Sequence, residues 1–444
     1  MTITLPHNFK PRKYQLPFLK AWDSGIKRFI LVWHRRSGKD KTVFANLVKK
    51  MFERVGTYFY FLPTYTQAKK VIWTGADKDG FRFLDHIPKE LIKGEINETE
   101  MRVELIPPPG HTSGSIIQLV GADNIDRIVG TNPIGVVFSE YSISDPEAWE
   151  YIRPILAVNG GWAIFNFTPR GRNHAYELLQ KVKDDPAWFT EVLTVNETKV
   201  LTAEGLDEER RTSPEAIFKQ EYFCEFIEGA GQFFRRIREN TYDPARMHLP
   251  EDGDFQLGVD LAKYQDWTVL TPFNLNTFTA YPQDRFQQVD WNLQKSRIES
   301  AALRYRNARI KIDGTGVGDP IVEDLGRRGL NMGEDDIIKF TEQSRMALLT
   351  NLSILLEQDK IKIPNDEGLI SELDAFQWRM VVNKQTGRAR LAVTVPEGMH
   401  DDRVMSLALS VHSISDPIPY EMVEHQPRFR VREENFNLYG TDYS

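Results

Sequence analysis

Acidic side chains lie at the ends of short apolar segments in the second half of the sequence. The run LGVD ends at one aspartate, RIKID ends at another, and an apolar helix follows GMHDD; the residues are Asp260, Asp266, Asp313, His400, Asp401 and Asp402. Carboxylate oxygens on rigid elements suit Mg²⁺ or Mn²⁺. Two such ions about 3.5–4 Å apart can activate water and stabilise a leaving oxygen in phosphodiester cleavage. We therefore predict a two-metal site formed by Asp260, Asp313 and Asp401 or Asp402.

Each aspartate also has a structural interpretation, because an aspartate at a helix start often caps the helix. The order strand-Asp, strand-Asp, helix-start-Asp resembles that of the ribonuclease-H-like nucleases. This resemblance favours the metal interpretation and leaves the choice between Asp401 and Asp402 open. His400 is a further candidate.

A basic hairpin is predicted between the second and third acids, in AFQWRMVVNKQTGRARLAVTV. Its cations would hold a phosphate backbone of DNA without reading sequence: Arg379, Lys384, Arg388 and Arg390. An ordinary solvated hairpin is the alternative.

In the first half, RRSGKDKT (35–42) follows the apolar run RFILVWH and precedes an amphipathic helix. It resembles a phosphate-binding loop, in which backbone N–H groups cradle phosphates, a lysine neutralises the β/γ oxygens and a hydroxyl binds Mg²⁺. The loop residues predicted to contact nucleotide are Ser37, Gly38, Lys39, Asp40 and Lys41. The opening glycine is missing and Asp40 replaces the hydroxyl residue, so an ordinary charged helix start is the alternative.

The strand IGVVFSE ends in Ser139-Glu140, where a nucleotide hydrolase usually has Asp-Glu. We predict that Glu140 orients the attacking water. Asp40 and Ser139 exchange the usual carboxylate and hydroxyl, which leaves the formal charge near Mg²⁺ unchanged. We therefore hypothesise that Asp40 supplies the carboxylate and Ser139 the hydroxyl. Arg35 and Arg36 are candidates for a charge-stabilising arginine in cis.

Alternating strands and helices predict an α/β fold with chemistry at the strand C-termini. We expect a P-loop ATPase domain with a mostly parallel sheet at 1–200, a connecting subdomain at 201–250, a ribonuclease-H-like nuclease domain at 251–415 and a mobile C-terminal tail at 416–444. The predicted cofactors are ATP with Mg²⁺ at the first site and two Mg²⁺ or Mn²⁺ at the second.

Composition is that of a globular chain of 444 residues, with 41% hydrophobic and 27% charged residues. The net charge of −7 argues against a general DNA-coating protein. No apolar stretch approaches membrane-span length, and we expect no membrane partner. The single cysteine, Cys224, excludes an internal disulfide, fits a reducing cytoplasm and is expected to be an inert core residue.

The whole order of motifs resembles the large terminase subunits of tailed bacteriophages. The matching segments run from about 10 to 415: YQ, HRRSGKD, VVFSEYS, NFTPRG, GVDLA…DWT, KIDGTGVGD and HDDRVMSLALS. The resemblance implies that Lys39 and Glu140 serve ATP hydrolysis. It also implies that Tyr14-Gln15 recognises adenine and that Thr168 and Arg170 belong to a motif coupling hydrolysis to movement.

The same resemblance implies a motor that drives double-stranded viral DNA into a procapsid and cuts the concatemer. Its expected partners are DNA, a portal protein, a small terminase subunit and further copies in a ring, expected to be a pentamer. The expected location is the host cytoplasm, transiently on the procapsid. Rival interpretations are a helicase-like translocase without nuclease activity, and a non-catalytic scaffold with decayed motifs.

Overall fold

A computed structural model describes residues 3–77, 80–123, 128, 130–227, 231–246, 253–262, 266–315, 318–382, 389–396 and 399–414. The predicted turn residues Lys384 and Arg388 and the tail at 416–444 lie outside these ranges. Within them, no helix combines the length and apolar character required to cross a bilayer.

The N-terminal half is built on a seven-stranded sheet with the order β3-β4-β2-β5-β6-β1-β7. Its strands are β1 (Arg28–Trp33), β2 (Thr57–Leu62), β3 (Arg102–Glu104), β4 (Ile116–Gly121), β5 (Pro133–Ser139), β6 (Trp162–Phe167) and β7 (Trp188–Leu193). All neighbours pair in parallel except β3, which is antiparallel to β4. The expected mostly parallel sheet is confirmed.

Helices cover both faces of this sheet. They are α1 (Leu16–Asp23), α2 (Lys39–Glu53), α3 (Tyr65–Gln67), α4 (Glu147–Asn159), α5 (His174–Val182), α6 (Val195–Thr198), α7 (Ala203–Arg211) and α8 (Glu215–Phe223), and α3 continues as a π-helix, Ala68–Trp73. Alternate side chains of β1 enter separate cores: Phe29 and Leu31 pack in one, Ile30 and Val32 in the other. A strand buried on both faces needs the continuous apolar run seen in the sequence. Cys224 is buried, as expected.

The C-terminal half contains a second, mixed sheet of six strands with the order β11-β10-β9-β13-β14, and β12 also pairs with β10. Its strands are β9 (Phe255–Asp260), β10 (Thr268–Asn274), β11 (Thr279–Ala280), β12 (Asp284–Phe286), β13 (Arg309–Asp313) and β14 (Ile337–Ile338). The central strand β9 is antiparallel to β10 and parallel to β13. Strand β12 ends at Phe286, and Trp291 begins the next helix.

The helices here are α9 (Trp291–Arg304), α10 (Gly318–Arg327), α11 (Glu342–Glu357), α12 (Glu367–Ala375) and α13 (Asp402–Ser410). α9 packs on one face of the sheet, and α13 contacts β9 and β10 on the other. The close contact with α13 requires glycine at 258, because a Cβ there would lie 2.1 Å from the carbonyl oxygen of Ser406. Because Gly258 lets α13 pack closely on β9, the start of α13 lies beside the end of β9.

Part of the predicted connecting subdomain packs with the C-terminal half. Phe233, Phe234 and Ile237 share a core with α11, α12 and α13. The short strands β8 (Thr241–Tyr242) and β15 (Ile363–Pro364) pair in parallel. The predicted hairpin forms from β16 (Gln377–Val382) and β17 (Ala389–Thr394), paired antiparallel.

Candidate functional sites

The loop between β1 and α2 reverses the chain in five residues. Arg36 and Gly38 both have positive φ, 67° and 81°. For a non-glycine residue such a φ is uncommon. Gly38 is the N-cap of α2, without a side-chain cap, so Lys39 and Asp40 begin the helix. Free N–H groups at a helix start attract anions.

Tyr14 and Gln15 hold this loop in place. The Tyr14 hydroxyl donates to the carbonyl oxygen of Ser37 at 2.7 Å, and Gln15 Nε2 donates to the same oxygen at 3.5 Å. Gln15 Oε1 accepts from the backbone N–H of Arg12 at 2.9 Å. The pair is therefore next to the loop, as its predicted role requires, although adenine recognition itself stays a prediction.

Lys39 contacts the acid at the end of β5. Its Nζ lies 3.0 Å from Glu140 Oε1 and donates to Thr168 Oγ1 at 3.1 Å. The Lys39 side chain is 8% exposed and that of Glu140 30%. Burial alone would raise the pKa of Glu140, but attraction from Lys39 and Arg170 holds the pKa below its usual value. Glu140 also keeps the pKa of Lys39 raised, against the effect of burial. Both groups are charged at neutral pH.

Asp40 accepts three hydrogen bonds on one oxygen. The donors to its Oδ1 are Ser139 Oγ at 2.6 Å, the Tyr60 hydroxyl at 2.9 Å and Asn166 Nδ2 at 3.0 Å. Burial and the Asp40 charge raise the pKa of Tyr60 well above its usual value, so Tyr60 stays a donor. Asp40 and Ser139 are thus in direct contact, which the exchange hypothesis requires.

Three further residues of the predicted nucleotide site are Arg35, Arg36 and Lys41. Arg36 is exposed. The backbone N–H of Arg35 donates to the carbonyl oxygen of Glu221 in α8 at 2.8 Å. Lys41 Nζ lies 2.8 Å from Asp77 Oδ2 and 5.1 Å from the centre of the Phe81 ring. Lys41 is therefore engaged by a neighbouring loop.

The segment after β6 is bound to α8. Arg170 pairs with the buried carboxylate of Glu221, and the backbone N–H of Gly171 donates to Gln220 Oε1 at 3.2 Å. No sequence signal marks Glu221 or Gln220, because they lie in a helix without a motif. Tyr60 and Asn166 could have been noticed as polar groups near the C-terminal ends of apolar strands.

The second site lies where β9 and β13 end. These neighbouring parallel strands end at Asp260 and Asp313, and α13 begins at Asp402 beside them. Burial raises the pKa of Asp260 well above its usual value, and the charges of Asp402 and Asp313 raise it further, while Arg345 lowers it. The three predicted acids therefore share one electrostatic environment.

Asp402 belongs to this environment, and the Asp401 carboxylate is paired with an arginine. Burial and Asp266 raise the pKa of Asp402. Asp401 makes an ion pair with Arg345 of α11 and does not cap α13 with its side chain. His400 Nδ1 lies 3.6 Å from Asp402 Oδ2. The geometry favours Asp402 as the third carboxylate.

In the part of the chain that the structure describes, no three carboxylate or imidazole groups already converge as a closed set of metal ligands. The donor chemistry nevertheless fits a divalent cation. Asp402 Oδ2 is buried and accepts no hydrogen bond from a described residue, and burying an unpaired carboxylate is costly. A hard cation would satisfy this oxygen and offset the repulsion among the acids.

The predicted basic strip can be located only in part. Arg379 is exposed on β16, and its guanidinium donates to Gln377 Oε1 at 3.4 Å. Arg390 lies on β17, opposite Val381. The DNA-binding role of the strip stays a prediction.

Taken together, the two halves form an α/β domain with a mostly parallel sheet followed by a domain with a mixed six-stranded sheet. The large terminase of a thermophilic bacteriophage has this fold: it superposes with a TM-score of 0.55 at 14% identity, covering 91% of this chain and 100% of that one. The ADP complex of the same phage protein superposes with a TM-score of 0.53 at 13% identity, covering 90% and 98%.

Sequence comparisons show which proteins the chain is similar to. Residues 32–241 match the family model for the N-terminal part of T4-like-virus-type terminase large subunits. The large terminase subunit of Thermus virus P23-45 is 27% identical over 96% of this chain and 93% of its own length. That of Escherichia phage T5 is 26% identical over 68% and 70%. The chain is therefore similar to phage terminase large subunits over most of its length.

Proposed function

We propose that the chain hydrolyses ATP to translocate double-stranded viral DNA into a procapsid and cuts the concatemer with a metal-dependent nuclease. The observation that carries this proposal is the presence of two separate charged sites on one chain. Lys39 and Glu140 are in contact at the end of one sheet. At the end of another, Asp260 is influenced by the charges of Asp313 and Asp402. A translocase without nuclease activity would not need the second set.

At the first site, Lys39 would bind the β/γ-phosphate oxygens, and Asp40 with Ser139 would hold Mg²⁺. Lys39 is paired with Glu140 in this structure, so phosphate oxygens would compete for the lysine and release the carboxylate. Glu140 would then be free to orient the attacking water and accept its proton. Arg36, exposed in the loop, is the better placed of the two arginines to stabilise the γ-phosphate charge.

At the second site, Asp260, Asp313 and Asp402 would hold Mg²⁺ or Mn²⁺. Bound ions would lower the pKa of water and stabilise the leaving oxygen of the phosphodiester. Asp401 is a positioning residue in this scheme, since its ion pair with Arg345 fixes the start of α13. The raised pKa of Asp260 implies that the carboxylates compete with protons for metal.

The test uses the full chain in two assays, plasmid cutting with Mg²⁺ or Mn²⁺ and DNA-stimulated ATP turnover. We expect Asp260→Ala and Asp313→Ala to abolish cutting and preserve turnover, and Lys39→Ala to do the reverse. Glu323→Ala, which removes an exposed acid of α10, is the matched control and should change neither. If the Asp260→Ala variant still cuts plasmid, the nuclease assignment is wrong. If the Lys39→Ala variant still turns over ATP, the ATPase assignment is wrong.

The assembly expected around the chain is a ring, expected to be a pentamer, docked on the portal and supplied by a small subunit. Similarity to phage terminase large subunits supports the proposal of these partners and of a location in the host cytoplasm. Sedimentation of the full chain with and without isolated portal would test the ring: a monomer in both conditions would contradict it.

A further inference from the structure

One arginine beside the second site has no ion-pair partner among the described residues. Arg285 lies in β12, and its guanidinium carbon is 4.0 Å from the centre of the Trp267 ring. Its Nε is buried, and no described residue accepts a hydrogen bond from it. By contrast, the neighbouring Arg403 donates to Gln283 Oε1 and to Asp366 Oδ1, each at 3.3 Å.

Strand register places Arg285 on the side of the sheet that carries the acids. Val269 of β10 pairs with Asp260 of β9 on one side and with Arg285 of β12 on the other. Directly paired residues of antiparallel strands project to the same face. Arg285 is therefore two strands from Asp260 on that face, about 10 Å along the hydrogen-bonding direction.

The Trp267 ring and Asp402 complete this environment. Trp267 immediately precedes β10. Its backbone N–H and the Arg285 charge are both near enough to Asp402 to lower the pKa of that carboxyl, although burial and Asp266 outweigh them. The guanidinium is thus held at the rim of the acidic site.

We propose that Arg285, oriented by stacking on Trp267, binds a phosphate of the DNA strand next to the bond that the metal site cuts. A planar guanidinium with unused donors matches the geometry of a phosphodiester. The aromatic face fixes its plane without consuming a donor. An anion beside Asp402 is favourable only with such a cation, because the carboxylates would otherwise repel the backbone. This assignment rests on the proposed nuclease function.

A second arginine offers a matched control. Arg297 of α9 also stacks on an aromatic ring, 4.3 Å from the centre of Phe286, but its guanidinium lies 3.3 Å from Asp284 Oδ1. Its charge is already paired. Replacing Arg297 by Gln removes an equal charge from the same domain without removing an unpaired donor group.

The experiment measures binding of the full chain to a short DNA duplex in Ca²⁺ over a range of salt, and cutting kinetics in Mn²⁺. Each phosphate contact contributes about 0.9 to the slope of log affinity against log salt. We expect Arg285→Gln to reduce that slope by about one contact and to raise KM for cutting about 10-fold, with kcat nearly unchanged. Arg285→Lys should restore the slope and only part of the KM, and Trp267→Leu should raise KM with a smaller slope change.

Several results would overturn the proposal. An unchanged salt slope with reduced kcat or metal affinity would make Arg285 a counter-ion of Asp402 instead. An equal effect of Arg297→Gln would show a general charge effect. If the Arg285→Gln variant does not fold, the test uses Arg285→Lys. A wild-type KM for cutting in Arg285→Lys would contradict the proposal, because lysine cannot bind a phosphate through two parallel hydrogen bonds as a guanidinium does. Failure of the nuclease assignment is distinguishable, since the wild-type chain would then not cut in Mn²⁺ at all.

Discussion

The two charged sites differ in how their charges are balanced. At the end of the first sheet, Lys39 pairs with Glu140, and Asp40 is surrounded by three donors. At the end of the second, Asp260 and Asp402 are buried near other acids, and burial and repulsion raise the pKa of both. The charges of the first site are paired or hydrogen-bonded in contact, whereas at the second site Arg345 and Arg285 offset the burial and repulsion of the acids only in part.

This difference matches the chemistry proposed for each site. At the first site, the ion pair between Lys39 and Glu140 balances the charges before a nucleotide binds, and the phosphates of the nucleotide must displace Glu140 from the lysine. Carboxylates that repel one another gain most from a divalent cation, so the cutting site depends on metal for its stability as well as for its reaction. The following predictions test this contrast.

The largest effect is expected from Glu140→Gln. The amide keeps the size of the side chain but cannot accept a proton from the attacking water, so ATP turnover should fall about 100-fold or more. DNA-stimulated phosphate release measures it. Glu147→Gln, an exposed acid of α4, is the control. Near-normal turnover in Glu140→Gln would place the base elsewhere.

The neighbouring aspartates should differ clearly in cutting. Asp402→Asn removes the proposed metal ligand and should reduce cutting about 100-fold or more. Asp401→Asn keeps the metal ligands and removes only the pair with Arg345, so we expect a loss of less than about 10-fold. Initial plasmid-nicking rates in Mn²⁺ compare them, and the reverse order would exchange their roles.

The exchange of ligands at Asp40 and Ser139 gives a double-mutant test. Asp40→Ser leaves three donors without their acceptor, and Ser139→Asp puts two carboxylates in contact, so each should lower ATP turnover about 10- to 100-fold. The double variant restores one carboxylate and one hydroxyl and should recover part of the loss. A double variant no better than the worse single variant contradicts the hypothesis.

Isosteric amides should change stability in opposite directions at the two sites. Glu140→Gln leaves Lys39 buried without its partner, which should destabilise the first domain by about 1–3 kcal/mol. Asp260→Asn removes a repelling charge and should stabilise the metal-free second domain by about 1 kcal/mol. Amide hydrogen exchange in β5 and β9 reports each domain separately. Stability changes of the same sign in the two variants would contradict the proposed difference between the sites.

The smallest effect is the pH dependence of stability. A pKa of Asp260 raised above its unfolded value of about 3.9 means that the stability from its protonated form is lost as pH rises through the folded pKa. Without metal, the protection of β9 amides, after correction for the intrinsic pH dependence of exchange, should therefore fall as pH increases, and Mg²⁺ should reverse this at neutral pH. The lowered pKa of Glu140 predicts the opposite for β5, whose stability is lost only on acidification below about pH 4. A β9 unaffected by pH and metal would contradict the account.

The sequence predicts the groups that end apolar strands or begin an apolar helix. Asp260, Asp313 and Glu140 are recognisable because an acid after a buried strand lies at one edge of the sheet. Arg345 and Glu221 cannot be recognised from the sequence, because each lies in a helix that only tertiary packing brings to a site. The choice of Asp402 over Asp401 likewise depends on where Arg345 lies.

Two helices join the sites in space. α8 holds the Arg170 segment through Glu221, and at its other end the backbone N–H of Glu215 donates to Glu357 Oε2 of α11 at 3.0 Å. α11 has 16 residues, so it is roughly 24 Å long. Its first turn carries Arg345, which holds the start of α13. A change in the position of α8 relative to α11 would therefore reach the start of α13, beside the acids at the end of β9.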